Sequence, residues 1–198
     1  MPEPALILAS ASPRRRVLLA MLAVDVEVRP PDVDEAALGG GLEPIEAAQR
    51  IARAKAAAIT DAERPVLAAD TVVALDGEVL GKPTDRSDAA DMLRRQSGTL
   101  VQVVSCVALR QQSGDIDDRL AIATMQIADL AEETIETYLE TGEADDKAGA
   151  LAVQGAAGSF VTVIGGARST VVGLPLSETI ELLTNAGIAV QDPRTPGL

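Results

Sequence analysis

The 198-residue chain reads as an α/β protein, a mixed β-sheet with flanking helices. Apolar runs of strand length alternate with segments of helical periodicity from end to end, the pattern of a sheet covered by helices. Turn chemistry agrees with that division. Asp76-Gly77 suits a tight hairpin, prolines stand at helix starts, and glycines follow helix ends. The length allows one substantial core, or a core split into two lobes around a cleft. No repeat or long linker interrupts it, so residues 1–198 are read as one domain.

The elements follow in order. Residues 4–9 are an apolar strand, 13–23 a helix opened by Pro13, and 25–29 a short strand. A loop with Asp32, Asp34 and Glu35 comes next, and Gly39-Gly40-Gly41 forms a flexible break. Pro44 opens a helix over 44–60, with Ile45, Ala48, Ile51, Ala52 and Lys55 at helical spacing. Val66 to Ala74 is a strand, turned by Asp76-Gly77 into Val79-Leu80. Ser87 caps the next helix, which stops before Gly98. Long strands over 99–110 and 116–128 flank Ser113-Gly114, and 132–141 is a helix ending at Gly142. The glycine-rich stretch 149–166 carries at least one strand, and the last helix spans 176–186. From Gln191 the tail, with its prolines, trails over the surface.

Composition removes several classes of function. The net charge is −13, with one Phe, one Tyr and no Trp. Such a chain lacks both the cationic surface and the stacking rings of sequence-independent nucleic-acid binding. Local cations can still hold a small polyanion, helped by a divalent metal. Histidine is absent, which eliminates Ser-His and Cys-His nucleophilic mechanisms and imidazole metal sites. Acid–base chemistry must therefore use carboxylates, Lys, Tyr or metal-bound water. Cys106 is the single cysteine and sits in an apolar run, where a buried inert thiol is the plainer reading. The first apolar stretch is too short for a signal peptide or a membrane span, and no later one reaches spanning length. A cytoplasmic location is expected.

Five clusters can carry chemistry. Leu6-Ile7-Leu8-Ala9-Ser10-Ala11-Ser12-Pro13-Arg14-Arg15 runs a strand into hydroxyls, a helix start and adjacent cations. Ser12 can cap that helix, and the free backbone donors and arginine forks can converge on one anion. Alone, the same residues also describe a capped surface helix. Asp32-Val33-Asp34-Glu35 places three carboxylates in a loop, most simply a solvated one. Asp70 lies inside the apolar run Val66 to Val73, where a carboxylate needs a cation or metal unless it faces an edge. Gly81-Lys82-Pro83 holds a lysine on a restrained turn. Asp146-Lys147-Ala148-Gly149-Ala150 leads to Gln154, whose amide both donates and accepts and so can read a base edge. No P-loop or dinucleotide fingerprint occurs.

Taken in order, Leu8-Ala9-Ser10-Ala11-Ser12-Pro13-Arg14-Arg15, Ala69-Asp70-Thr71, Leu80-Gly81-Lys82-Pro83, Asp146-Lys147-Ala148-Gly149-Ala150 with Gln154-Gly155, and Val172-Gly173-Leu174-Pro175-Leu176 closely resemble the Maf family over nearly the whole chain. The resemblance implies an elongated mixed α/β fold of the Maf/ITPase-like kind, with two lobes around a central cleft. It also implies a homodimer and a divalent cation, Mg²⁺ or Mn²⁺. The implied activity is a nucleoside triphosphate pyrophosphatase, releasing a monophosphate and pyrophosphate. Gln154 resembles the branch acting on dTTP and UTP rather than that acting on 7-methyl-GTP.

By the same resemblance, Arg14, Thr71 and Gln154 match positions of base selection, and Asp70 matches the proton acceptor. Glu35, Lys55 and Lys82 match polar positions of the pocket. From the chemistry of the opening motif, Ser10, Ser12 and Arg15 are read with Arg14 as substrate contacts. The mechanism these residues permit has Glu35 and Asp70 on the cation, with Asp70 deprotonating a water. Lys82, Arg14 and Arg15 stabilise the leaving pyrophosphate. This chain departs from the family pattern in two places. Val101 stands near where many members carry a histidine after Ser97-Gly98, and Gly166-Ala167-Arg168-Ser169 differs from the commoner pattern. The rival readings are a nucleotide-binding regulator of septum formation with little catalysis, and an α/β enzyme for another phosphorylated metabolite.

Overall fold

The computed structural model describes residues 4–191. Its sheet contains Leu6–Leu8 (β1), Val26–Val28 (β2), Val66–Leu75 (β3), Glu78–Leu80 (β4), Leu100–Arg110 (β5), Ile116–Ile127 (β6) and Val161–Gly165 (β7). Across the sheet the order is β2-β1-β3-β5-β6-β7, with β4 also on β3. β1 is parallel to β2 and β3, and the other pairs are antiparallel, so the sheet is mixed, as expected.

β3 is the spine, and its two edges differ. One edge pairs continuously with β5, from Val66 opposite Arg110 to Ala74 opposite Gln102. The other edge is divided. β1 pairs with Val66 and Leu67, β4 pairs with Val73–Leu75, and residues 68–72 have no strand partner on that side among the described residues. The division has local causes. Asp76 (φ 51°) and Gly77 (φ 85°) both take the left-handed conformation that a tight hairpin needs, and Gly81-Lys82-Pro83 then stops β4.

Seven helices pack around this sheet among the described residues: Pro13–Ala20 (α1), Glu35–Gly39 (α2), Pro44–Ala58 (α3), Arg86–Gln96 (α4), Glu132–Glu140 (α5), Arg168–Val172 (α6) and Leu176–Asn185 (α7). Ala47, Ala48, Ala52 and Ala56 let α3 lie close on one face of β3 and β5. On the opposite face, Leu18, Leu19, Leu182 and Leu183 of α1 and α7 cover Leu67, Ala69 and Val107. Farther along, Leu93, Ile135 and Tyr138 of α4 and α5 cover Val73, Val103 and Met125.

Several local expectations change. α1 ends at Ala20, because Ala23 (φ 55°) turns the chain and Val24 N–H bonds back to the Leu19 carbonyl. The acidic loop contains α2, capped by Asp34, whose carboxylate accepts from Ala37 N–H at 2.9 Å. Gly39 is a packing glycine rather than part of a flexible break. A Cβ there would stand 2.9 Å from Ile51 Cδ1, so its absence lets α2 approach α3. Asp85, not Ser87, caps α4 by accepting from Asp88 N–H. Ile45 points outward at 47% exposure, whereas Ala48, Ile51, Ala52 and Lys55 are buried. Helix α6 is an addition to the elements read from the sequence. The prolines of the expected surface tail lie outside the described residues. No helix among the described residues is long and apolar enough to cross a membrane.

Candidate active site

The divided edge of β3 opens onto a cavity of about 650 Å³, lined by Ser10, Ser12, Arg14, Arg15, Glu35, Lys55, Asp70, Thr71, Lys82 and Gln154. Asp70 is buried in the stretch of β3 that, among the described residues, has a strand partner only on the β5 side. Lys55, in the last turn of α3, reaches it: Nζ lies 2.7 Å from Asp70 Oδ1 and 2.8 Å from Glu35 Oε1. One buried ammonium thus joins a buried carboxylate to a half-exposed one at the start of α2. Burial pushes the Asp70 carboxyl above the usual carboxylate range, and Lys55 and then Arg15 oppose that only in part. Of the three acidic-loop residues, only Glu35 lines the cavity, while Asp34 is a helix cap.

The opening motif supplies a second wall. Ser12 occupies the capping position of α1, but its side chain makes no capping bond. Ser10 does the organising instead, because its Oγ accepts from Ser12 N–H at 3.2 Å and from Arg15 Nη1 at 3.0 Å. Arg15 Nε also donates to the Gly173 carbonyl at 2.9 Å, which locks the guanidinium in place. Burial draws Arg15 below its ordinary pKa, against the opposing pull of Asp70 and Glu35. Arg14 is exposed on the same cavity wall.

Loops close the remaining side. Gly149 N–H bonds to the Gly81 carbonyl at 2.9 Å, tying the turn before Lys82 to the 146–150 segment. Gly149 holds φ 63° with Gln96 and Val73 packed against it, so no side chain fits there. The single tyrosine pins the next stretch: Tyr138 OH donates to the Ala150 carbonyl at 2.8 Å and accepts from Ala152 N–H at 2.9 Å. Gln154 follows, exposed within the cavity. Glu143 accepts from Ala156 N–H at 2.7 Å and braces the loop that carries Gln154. Sequence reasoning did not select Glu143 or Lys147, although both line the cavity and Lys147 belongs to a quoted motif. It also missed Ser105, a buried strand serine with no local signal, which meets Thr71 at 2.7 Å.

The family model described as "Maf-like protein" matches residues 5–186. The chain belongs to the Maf family. Among curated relatives, the dTTP/UTP pyrophosphatase of Anaeromyxobacter dehalogenans is 48% identical over 187 residues, covering 93% of this chain and 95% of the relative. That of Escherichia coli O157:H7 is 46% identical over 187 residues, covering 91% and 92%. Among solved structures, a HAM1 protein from Coxiella burnetii is similar at 16% identity, covering 91% of this chain and 96% of that one, with a TM-score of 0.47. Val101 is wholly buried in the core and does not line the cavity.

Proposed function

We propose that this chain is a nucleoside triphosphate pyrophosphatase that cleaves dTTP and UTP between the α and β phosphates. The observation that carries the reading is the Glu35–Lys55–Asp70 array in the cavity that also holds Gln154, Arg14 and Arg15. Relatives named dTTP/UTP pyrophosphatase support the substrate. Asp70 orients a water toward the α-phosphorus and takes its proton, for which a carboxyl held above the usual range is the better base. The new oxygen–phosphorus bond forms as the bridging bond breaks, and pyrophosphate leaves. Arg14, Arg15 and Lys82 supply positive charge to the leaving group. Gln154 meets the pyrimidine edge, with Thr71 beside it.

Glu35 and Asp70 fit a divalent cation in kind. Both are hard oxygen donors converging on one point, now satisfied by Lys55. Glu35 and Asp70 would hold such an ion, Mg²⁺ or Mn²⁺, through their carboxylate oxygens. When bound, such an ion neutralises phosphate charge. The reading includes a homodimer, as the resemblance implies, and a cytoplasmic location, and the net charge of −13 argues against nucleic acid as a partner.

The test is pyrophosphate release from natural nucleoside triphosphates, with Mg²⁺ and then with EDTA. Metal-dependent release led by dTTP or UTP is expected. Release led by a purine overturns the substrate, and no release from any triphosphate overturns the reaction.

A further inference from the structure

Thr71 and Ser105 stand directly opposite each other on β3 and β5, with their hydroxyl oxygens 2.7 Å apart. Ser105 is fully buried, and its hydroxyl donates to the Thr170 carbonyl at 2.8 Å. A carbonyl has no proton to give, and a serine hydroxyl has one. Ser105 has therefore committed its proton to Thr170, and only Thr71 can donate between the two hydroxyls. Thr71 Oγ1 then has no proton left, so it offers only lone pairs to a ligand. Thr71 and Gly173 both line the cavity, and a Cβ on Gly173 would stand 3.4 Å from Thr71 Oγ1.

We propose that Ser105 is a positioning residue for base selection. By holding Thr71 as an obligate acceptor, it makes the cavity select a base with an N–H donor on its pairing edge. Uracil and thymine carry that donor at N3, whereas cytosine presents a bare acceptor there. The proposal rests on the pyrophosphatase reading and adds a discrimination within the pyrimidines. Gln154 cannot supply that discrimination alone, because an amide that turns over exchanges its donor for its acceptor. A fixed acceptor cannot adapt, and an acceptor facing an acceptor leaves both unpaired.

The experiment compares kcat/KM for UTP, CTP and 3-methyl-UTP, in which a methyl group replaces the N3 proton. The proteins are wild type, Ser105→Ala, Ser105→Thr, Thr71→Val and the Ser105→Ala/Thr71→Val double variant. Wild type should prefer UTP to both others by about tenfold or more. Ser105→Ala frees the Thr71 hydroxyl to rotate and donate, so the CTP:UTP ratio should rise about tenfold. Ser105→Thr keeps the hydroxyl and should keep the ratio. Adding Ser105→Ala to Thr71→Val should change the ratio no further.

An unchanged ratio in folded Ser105→Ala, or an equal loss on both substrates, overturns the proposal. Should Ser105→Ala not fold, Thr71→Val reads the same contact. It must lose activity on UTP and not on CTP, and an equal effect on the two overturns the proposal. If wild type releases pyrophosphate from none of these, the pyrophosphatase reading falls instead. The hydroxyl chain is then judged by calorimetric binding of UMP against 3-methyl-UMP, where a tenfold preference for UMP upholds it and equal binding overturns it.

Discussion

The two edges of β3 carry similar apolar neighbours and behave in opposite ways. Asp70 and Cys106 face each other in register across the β3–β5 ladder, and both are buried. On the β5 side the ladder is continuous. There burial first, and the nearby Asp118 and Asp70 carboxylates second, push the Cys106 thiol up to about 12. On the other side, among the described residues, the ladder is missing between Leu67 and Val73. Lys55 reaches Asp70 from α3 on the sheet face, Glu35 meets the same ammonium, and the cavity extends to Asp70. The difference teaches that an ionisable side chain on a buried strand becomes chemically useful where a compensating cation and an open cavity both reach it.

The contrast is broken most severely by Asp70→Asn. It keeps the volume and removes the base, so pyrophosphate release should fall about 10²- to 10⁴-fold while thermal melting stays close to wild type. Turnover within a few-fold of wild type would remove Asp70 from the role of base. Next is Lys55→Met, which leaves a buried carboxylate without its cation. Urea denaturation should show a loss of about 3–5 kcal/mol, and a loss under about 1 kcal/mol would mean that the pair contributes little to the fold.

A smaller effect sharpens the electrostatics. Asp70 binds its proton more tightly in the folded chain than in the unfolded one. Its contribution to stability is therefore present at low pH and declines as pH rises from the ordinary carboxylate value through the raised folded value. Melts recorded in EDTA should show that decline in wild type and not in Asp70→Asn, and equal slopes would assign it to another group. The smallest effect lies on the closed edge. Cys106 should resist alkylation at pH 8 until the protein unfolds. Cys106→Ala should cost about 1 kcal/mol and leave turnover unchanged.

Much of this protein is legible in the order of its residues. The apolar runs gave β1, β3, β5 and β6 nearly to their ends, because strand pattern and hairpin chemistry are local properties. The motifs named the wall residues of the cavity, because residue type limits which chemistry a chain without histidine can perform. Tertiary structure alone decided which charges compensate which. Glu35, Lys55 and Asp70 lie far apart in sequence, and nothing local says that one ammonium serves both carboxylates. It also decided that Ser10 rather than Ser12 holds Arg15, and that Gly39 exists for the packing of Ile51. Ser105 was invisible for the same reason. A strand serine carries no local signal, and its meaning comes from the residue opposite it in register and from a carbonyl sixty-five positions away.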